Sequence, residues 1–368
     1  MEVENDLILL YSIFKNNLRI VGGAIRNRIL KLPERDYDFS CLLKPDDVKE
    51  LLNKNNIKYI TTGEDFGTIT ALINGRKYEI TSTRKDVKTD GRHTEIEYEP
   101  DFEVDSWRRD FTFNALYMDI QGKIYDYHNG LSDLDNGIVR FIGEPEKRIQ
   151  EDYLRILRFF RFFAHFGISL DEESLEAVKK LKDGLKRLSA ERIRDEMYKL
   201  LYAKYPILAL KIMQDAGILD IIDFDGNIKN MENFYLYKNL TISTEMLIAL
   251  YVDKIPRWIL SKKAIDEINS YLEIKHLPLY TKTDVINIFF DQKSQNLAIF
   301  NAIMNNGDVE SIIALYKKVK NIRLPVNGYD FFYIEDKKVI GEKLKEAKEL
   351  FIESNFTLTK QELLEKLK

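Results

Sequence analysis

Asp36 and Asp38 form a D-x-D pair in the stretch Asp36-Tyr37-Asp38-Phe39-Ser40-Cys41-Leu42. In an extended strand, residues two apart share a face, so both carboxylates would project together. Two unpaired carboxylates side by side raise each other's pKa. A cation removes that conflict, and Mg²⁺ typically takes one or two carboxylates and completes its shell with substrate phosphates. A solvated strand edge explains a lone D-x-D equally simply. Upstream, Leu18-Arg19-Ile20-Val21-Gly22-Gly23-Ala24-Ile25-Arg26 reads as a short strand, a Gly-Gly turn and a helix. Gly22 and Gly23 would let backbone approach a phosphate where a helix N-terminus favours anions. Arg26 could fork onto phosphate oxygens. A plain turn also accounts for two glycines, but leaves Arg26 and the following D-x-D unexplained.

Two later stretches carry more charge in ordered spacing. Ser106-Trp107-Arg108-Arg109-Asp110-Phe111-Thr112-Phe113-Asn114 reads as a helix start, with Asp105 or Ser106 as N-cap. Arg108 and Arg109 would then oppose the dipole in the first turn, a placement suited to neutralising a triphosphate. Two solvated surface arginines are the alternative. Glu151-Asp152-Tyr153-Leu154-Arg155-Ile156-Leu157-Arg158-Phe159-Phe160-Arg161-Phe162 reads as one continuous helix. Asp152, Arg155 and Arg158 are spaced by three, so successive members are surface neighbours. An amphipathic helix with ordinary ion pairs has the same appearance.

The elements that must position these residues divide in two. Up to about residue 138 the pattern is mixed, with strands expected over 18–22, 36–42, 57–61, 67–73 and 76–83. Asn74-Gly75 between the last two is a strong hairpin signal. A short helix is expected from Val48 to Asn53, after Pro45. From Pro145 onward helical periodicity dominates, with breaks expected near Gly167, Gly184, Pro206 and Gly217. Phe224 to Asn227 reads as a connection and Leu324 to Gly328 as a turn. The fold class expected is α+β, a mixed-sheet head followed by helices.

Composition excludes several alternatives. The chain has 368 residues, with 56 basic and 60 acidic side chains and a formal charge of −4, so it is not a globally basic nucleic-acid binder. RNA contact would need local basic surface, for which Lys179 to Arg194 is a candidate; a solvated helix face is the simpler reading. One cysteine, Cys41, rules out an internal disulfide and a Cys-based zinc site. The four histidines show no metal-ligand spacing. The first residues lack a signal-peptide pattern and no apolar run reaches membrane-spanning length, so a cytoplasmic protein with no membrane partner is expected.

G-G-x-x-R, D-x-D, R-R-D-F and E-D-x-x-R, in this order, resemble the motifs of the class II tRNA nucleotidyltransferases of the polymerase β-like superfamily. These are the CCA-adding enzymes, with bacterial poly(A) polymerases as close relatives. The matching motifs run from about Leu18 to Leu200, roughly half the chain. Arg187-Leu188-Ser189-Ala190-Glu191-Arg192-Ile193-Arg194-Asp195-Glu196 resembles the last shared motif. The stretch from Ile340 to Leu364 resembles, more weakly, the tail of the shorter bacterial CCA-adding enzymes. The resemblance implies a nucleotidyltransferase head (1–138), a base-recognising neck (139–204), a helical body (205–295) and a helical, tRNA-binding tail (296–368).

The implied reaction is attack of an RNA 3′-hydroxyl on the α-phosphate of a nucleoside triphosphate, at a two-metal site. Asp36 and Asp38 would hold Mg²⁺, with Mn²⁺ an equally acceptable oxygen-bound ion. Glu79, on the strand 76–83, could bring a third catalytic carboxylate alongside, or be an ordinary edge-strand Glu. Gly22, Gly23, Arg26, Arg108 and Arg109 would handle the triphosphate; Asp110 and Asn114 would order the site or meet the ribose. Cytosine and adenine both present an amino donor beside a ring-nitrogen acceptor. Asp152 could accept from the amino group and Arg155 donate to the ring nitrogen. Guanine and uracil would meet acceptor with acceptor and donor with donor, at roughly 1–3 kcal/mol per unpaired group. Glu151 would hold Arg155 or a neighbouring backbone group in place; Arg158 and Arg161 would orient these residues or reach phosphate. The segment from Arg84 to His93, including Lys88 and Arg92, occupies the place of the family's flexible loop, which enlarges or rotates the pocket for A; a mobile connection is the bland alternative. Asn27 stands where the family's first motif ends in Asp. It keeps the shape and loses the charge. The partners implied are the tRNA 3′ end, through acceptor stem and elbow, with CTP and ATP; the protein could be monomer or dimer. Poly(A) polymerase and A-adding activities share these head motifs and stay open.

Overall fold

Alternating apolar side chains build the sheet on which the candidate carboxylates sit. The structure is a computed structural model describing residues 2–34, 36–89, 94–225, 243–281, 284–286, 288, 295–319 and 321–367. It contains two compact units, residues 1–224 and 225–368.

In the first unit, helix α1 (Glu2–Phe14) precedes strand β1 (Leu18–Val21), helix α2 (Gly23–Ile29), strand β2 (Asp38–Cys41) and helix α3 (Pro45–Lys54). Strands β3 (Lys58–Ile60), β4 (Thr68–Ile73) and β5 (Arg76–Ser82) follow, then a separate hairpin of β6 (Arg84–Thr89) and β7 (Thr94–Tyr98). After α4 (Phe102–Trp107) come β8 (Leu116–Met118) and β9 (Ile124–Asp126). The main sheet has seven strands in the order β3-β4-β5-β2-β1-β8-β9. Only β2 and β5 pair in parallel; the other pairs are antiparallel. The register decides the chemistry: Asp38 opens β2 with Val21 opposite on β1 and Glu79 opposite on β5. Leu10, Phe14, Ile25, Phe39, Val48, Leu52, Ile69 and Ile80 are fully buried in one cluster, which joins α1, α2 and α3 to the sheet. Asn74 and Gly75 take φ of +50° and +78° in the β4–β5 turn, the left-handed pair such a two-residue hairpin requires.

The remainder of this unit is mostly helical: α5 (Gly130–Asp135), α6 (Pro145–Glu151), α7 (Leu154–Phe166), α8 (Glu172–Leu181), α9 (Ala190–Leu201), α10 (Pro206–Asp215) and α11 (Ile218–Ile221). Two short strands, β10 (Ile138–Val139) and β11 (Ser169–Leu170), pair in parallel among them. The α7 helix ends at Gly167, α10 begins at Pro206, and Gly217 (φ +68°) separates α10 from α11, as the breaker residues predict.

Two expectations are corrected. No helix starts at Ser106. Instead Asp101 caps α4, accepting from the Glu103 and Val104 amides, so Arg108 and Arg109 follow the helix rather than open it. At that end their charge complements the dipole. The run from Glu151 to Phe162 is also not continuous. Asp152 is extended (φ −155°, ψ 107°) and its carboxylate accepts from the Leu154 amide at 3.1 Å, which closes α6 and opens α7.

The second unit carries helices Thr244–Tyr251, Lys262–Ile274, Gln295–Met304, Val309–Val319, Lys337–Glu353 and Lys360–Lys366. Val326, Phe331, Ala347, Phe351, Leu363 and Leu367 form a core of their own. Capping boxes at Asn327/Asp330 and Thr359/Glu362 fix two helical starts there.

Candidate active site

Strand β1 delivers the chain to a backbone shape that only glycine adopts readily. Gly22 has φ +75° and ψ −121°, and a Cβ there would lie 3.4 Å from the Asn114 carbonyl. Gly23 then starts α2, which carries Arg26. Gly22, Gly23, Arg26, Asp38, Arg108, Arg109, Asp110, Asn114, Asp152, Arg155 and Arg158 line one cleft of about 510 Å³. Residues from four separate sequence stretches therefore face a common space within the first unit.

Asp38 keeps an exposed face while the surrounding protein and its acidic neighbours act on it. Burial, then Glu79, with a further contribution from Asp36, push its pKa above the usual carboxylate range; Arg109 opposes them. Asp36 and Glu79 are both exposed and lie beside the cleft rather than in its lining. Among the described residues, no three His, Cys, Asp or Glu side chains gather into a ready metal cage. The carboxylates at Asp36 and Asp38 nonetheless fit a hard divalent ion that takes further ligands from substrate phosphates and water, since both are exposed and share one end of the strand.

The arginines are each held by a defined partner. Asp105 is fully buried and collects five donors: Ser40 Oγ (2.9 Å), the Arg84 amide (3.4 Å), Arg108 Nε (2.7 Å), Arg109 Nη2 (3.4 Å) and Tyr117 Oη (2.8 Å). Burial disfavours its charge, but Arg108 and Arg109 outweigh that and bring its pKa down to about 2. Arg109 Nε also donates to Tyr117 Oη at 2.9 Å. Asp110 receives Arg158 Nε at 2.7 Å and Asn114 Nδ2 at 3.1 Å. Burial would raise Asp110, yet Arg158 and Arg155 hold its carboxyl well below the usual range. Asn114 Oδ1 in turn accepts from Arg26 Nη1 at 2.7 Å. Asp110 and Asn114 thus link Arg158 to Arg26 through a chain of hydrogen bonds.

Asn27 Oδ1 accepts from Arg26 Nε (3.3 Å) and Nη2 (3.1 Å), so the neutral side chain keeps the clamp without an ion pair. Burial, then Arg161, lowers Arg26 to about 10. Its guanidinium lies 5.1 Å from the Phe162 ring centroid, as Arg158 lies 5.5 Å and Arg161 4.0 Å. At the α6–α7 junction, Asp152 Oδ2 pairs with Arg192 of α9 at 2.8 Å. Arg155 Nη1 donates to Glu151 Oε2 at 2.5 Å. Arg161 is not among the residues described as lining the cleft; it pairs with Glu196 at 2.6 Å and lies over the Phe162 ring.

Comparison with known proteins places this geometry. Residues 18–140 match the family described as "Poly A polymerase head domain", and residues 167–223 match "Probable RNA and SrmB- binding site of polymerase A". The mitochondrial CCA tRNA nucleotidyltransferase 1 of Danio rerio is 30% identical over 99% of this chain and 90% of its own length. The chain belongs to the CCA tRNA nucleotidyltransferase family. The Mus musculus enzyme of the same name is 39% identical over 62% of this chain and 54% of its own length. The Bacillus stearothermophilus CCA-adding enzyme, solved in complex with CTP, shares the fold with a TM-score of 0.71 at 23% identity, over 96% of this chain and 93% of that one. Members of the family are nucleotidyltransferases, and divalent-metal dependence goes with that membership.

Against that family pattern, Leu154, Phe162 and Arg192 are cleft residues that sequence reasoning missed. Arg192 lay in a stretch already singled out, at 187–196, but without a stated role. Phe162 follows Arg158 by four residues, one helical turn, which was the available signal. Asp105 was read only as a possible cap. The Arg84–His93 segment is rooted in the β6–β7 hairpin, where Lys88 pairs with Glu95; Arg92 and the Lys88 side chain lie outside the described residues.

Proposed function

We propose that this protein adds C, C and A to the tRNA 3′ end, using CTP and ATP and no nucleic-acid template. The observation that carries this reading is the shared cleft, where Asp38, the Arg108–Arg109 pair and the Asp152–Arg155 pair face one space. Asp36 and Asp38 are the proposed Mg²⁺ ligands, with Glu79 as an accessory carboxylate at register position opposite Asp38. The bound ion supplies charge neutralisation at the attacking and leaving oxygens. Arg26, Arg108 and Arg109 bind the triphosphate, each preorganised by a neutral or acidic partner so that little ordering remains to be done on binding.

Base choice rests on Asp152 and Arg155. Three of the five Arg155 guanidinium hydrogens are spent on Glu151 and on the Arg148 and Arg108 carbonyls, which leaves two for a base. Asp152 retains acceptor capacity beyond the Leu154 amide and Arg192. The four-part layout of head (1–138), neck (139–204), body (205–295) and tail (296–368), with the tail on tRNA, is part of the proposal. A reducing compartment suits the lone buried thiol of Cys41, and the cytoplasm is its proposed place. Among the described residues no helix is long and apolar enough to cross a membrane.

Product sequencing tests the reading. A tRNA lacking its 3′ end is incubated with protein, Mg²⁺ and all four nucleoside triphosphates. The expected product ends in C-C-A and stops. Runs of A on many RNAs would make it a poly(A) polymerase, and a single A added only after C-C would make it an A-adding enzyme.

A further inference from the structure

Arg148 is not part of the cleft lining, yet it touches both of its functional halves. It is buried on α6, three residues before Glu151. Its Nη2 donates to the main-chain carbonyls of Arg108 and Arg109, both at 2.6 Å. Its Nη1 donates to Glu151 Oε2, the oxygen that also receives Arg155 Nη1. Arg155 closes the circuit: Nη1 donates to the carbonyl of Arg148 at 2.7 Å and Nη2 to that of Arg108 at 3.3 Å. The carbonyls that follow a helix end lack intrahelical partners, and a cation placed there both satisfies them and complements the dipole. What is unusual is its source. The cation comes from the segment that reads the base, and it grips the segment that faces the phosphates.

We infer that Arg148 is a positioning residue that sets the base-reading Arg155 in register with the phosphate-facing Arg108 and Arg109. This rests on the proposed function above. A base that fits Asp152 and Arg155 leaves the circuit intact, and Arg108 and Arg109 then present the α-phosphate correctly. A base that turns Arg155 away pulls on the Arg108 carbonyl through a shared set of hydrogen bonds. A planar guanidinium is needed because it donates in two directions at once; a lysine ammonium is a point charge on a flexible stem and cannot span both carbonyls and Glu151 in that geometry.

The test compares wild type, Arg148→Gln, Arg148→Lys and Glu151→Gln in single-nucleotide incorporation on a tRNA lacking its 3′ end, with CTP or UTP, alongside thermal melting. For Arg148→Gln, kcat with CTP is expected to fall by roughly 10²-fold, with a much smaller change in KM, as for a remote misplacement of reacting groups. The preference for CTP over UTP is expected to narrow, and Arg148→Lys is expected to behave like Arg148→Gln. Mere support of the fold would lower the melting temperature and leave the CTP-to-UTP ratio of the folded protein unchanged; that result overturns the inference. Glu151→Gln cuts the same circuit from the other side, so if Arg148 variants do not fold, an unaltered ratio in Glu151→Gln overturns it as well. Wild type that incorporates neither nucleotide sinks the proposed function instead, before any variant is compared.

Discussion

At the residue scale the cleft separates the charges that react from the charges that hold. Among the described residues no arginine is bonded to Asp38, and its pKa is raised by burial and by Glu79, whereas Asp105 and Asp110 are each tied to arginines and held low. Substitution should separate these roles. Asp36→Ala is expected to abolish transfer from every nucleotide, while Asp152→Ala and Arg155→Ala are expected to keep transfer and accept G and U. Single-turnover incorporation with each triphosphate checks this, and normal turnover in Asp36→Ala would remove it from the metal site. The holding group Asp105 has a pH signature. Its folded pKa, about 2, lies below the unfolded value near 3.9, so its stabilisation is complete above that unfolded value and fades as pH falls toward 2. The contribution is about 2 kcal/mol. Denaturation of wild type and Asp105→Asn across pH 6 to 2 should show a flatter acid limb in the variant; parallel limbs would mean that folding does not shift the Asp105 pKa.

At the scale of elements, the α6–α7 junction is where sequence and structure part company. Spacing by three made Glu151 to Phe162 look like one helix, because Asp152, Arg155 and Arg158 satisfy that period. Periodicity cannot see that the Asp152 carboxylate will accept from the amide two residues on and break the run. The strands were more legible. Alternating apolar residues and the Asn74-Gly75 turn marked β4 and β5 to within a residue of their ends, because both signals are local. Strands β6, β7, β8 and β9 were missed: β6 falls in the polar stretch that reads as a flexible loop, and β8 and β9 run only three residues each. The same junction supports a prediction. A Cβ at Gly184 would fall 1.9 Å from the Tyr153 ring, next to Asp152. Gly184→Ala must therefore push Tyr153, at about 1–3 kcal/mol for overpacking. It should also blunt base selection, since Asp152 shifts with its neighbour. Melting and CTP-to-UTP preference, measured together, decide it; lost stability with unchanged preference would show that the junction tolerates the shift.

At the scale of the whole molecule, the described residues lining the cleft belong to residues 1–224, and residues 225–368 build their own core around Phe331, Phe351 and Leu363. The motif order made the catalytic unit readable, because close chemistry demands particular residue types at particular spacings. The second unit offered no such constraint: apolar helices can be exchanged for others that bury similar area, so its sequence says helix without saying what it touches. The net charge of −4 points the same way, since any RNA affinity must come from local surface rather than from the field of the whole chain. A chain cut after Phe224 is accordingly expected to bind CTP with Mg²⁺ with an affinity within roughly threefold of the full chain, which is under 1 kcal/mol. Its affinity for tRNA should drop by an order of magnitude or more, because the proposed tail is gone. Calorimetry with CTP and filter binding with tRNA read the two quantities separately. Unchanged tRNA affinity would move the RNA-binding surface onto the catalytic unit, and loss of CTP binding by a folded fragment would mean that residues 225–368 complete the nucleotide site.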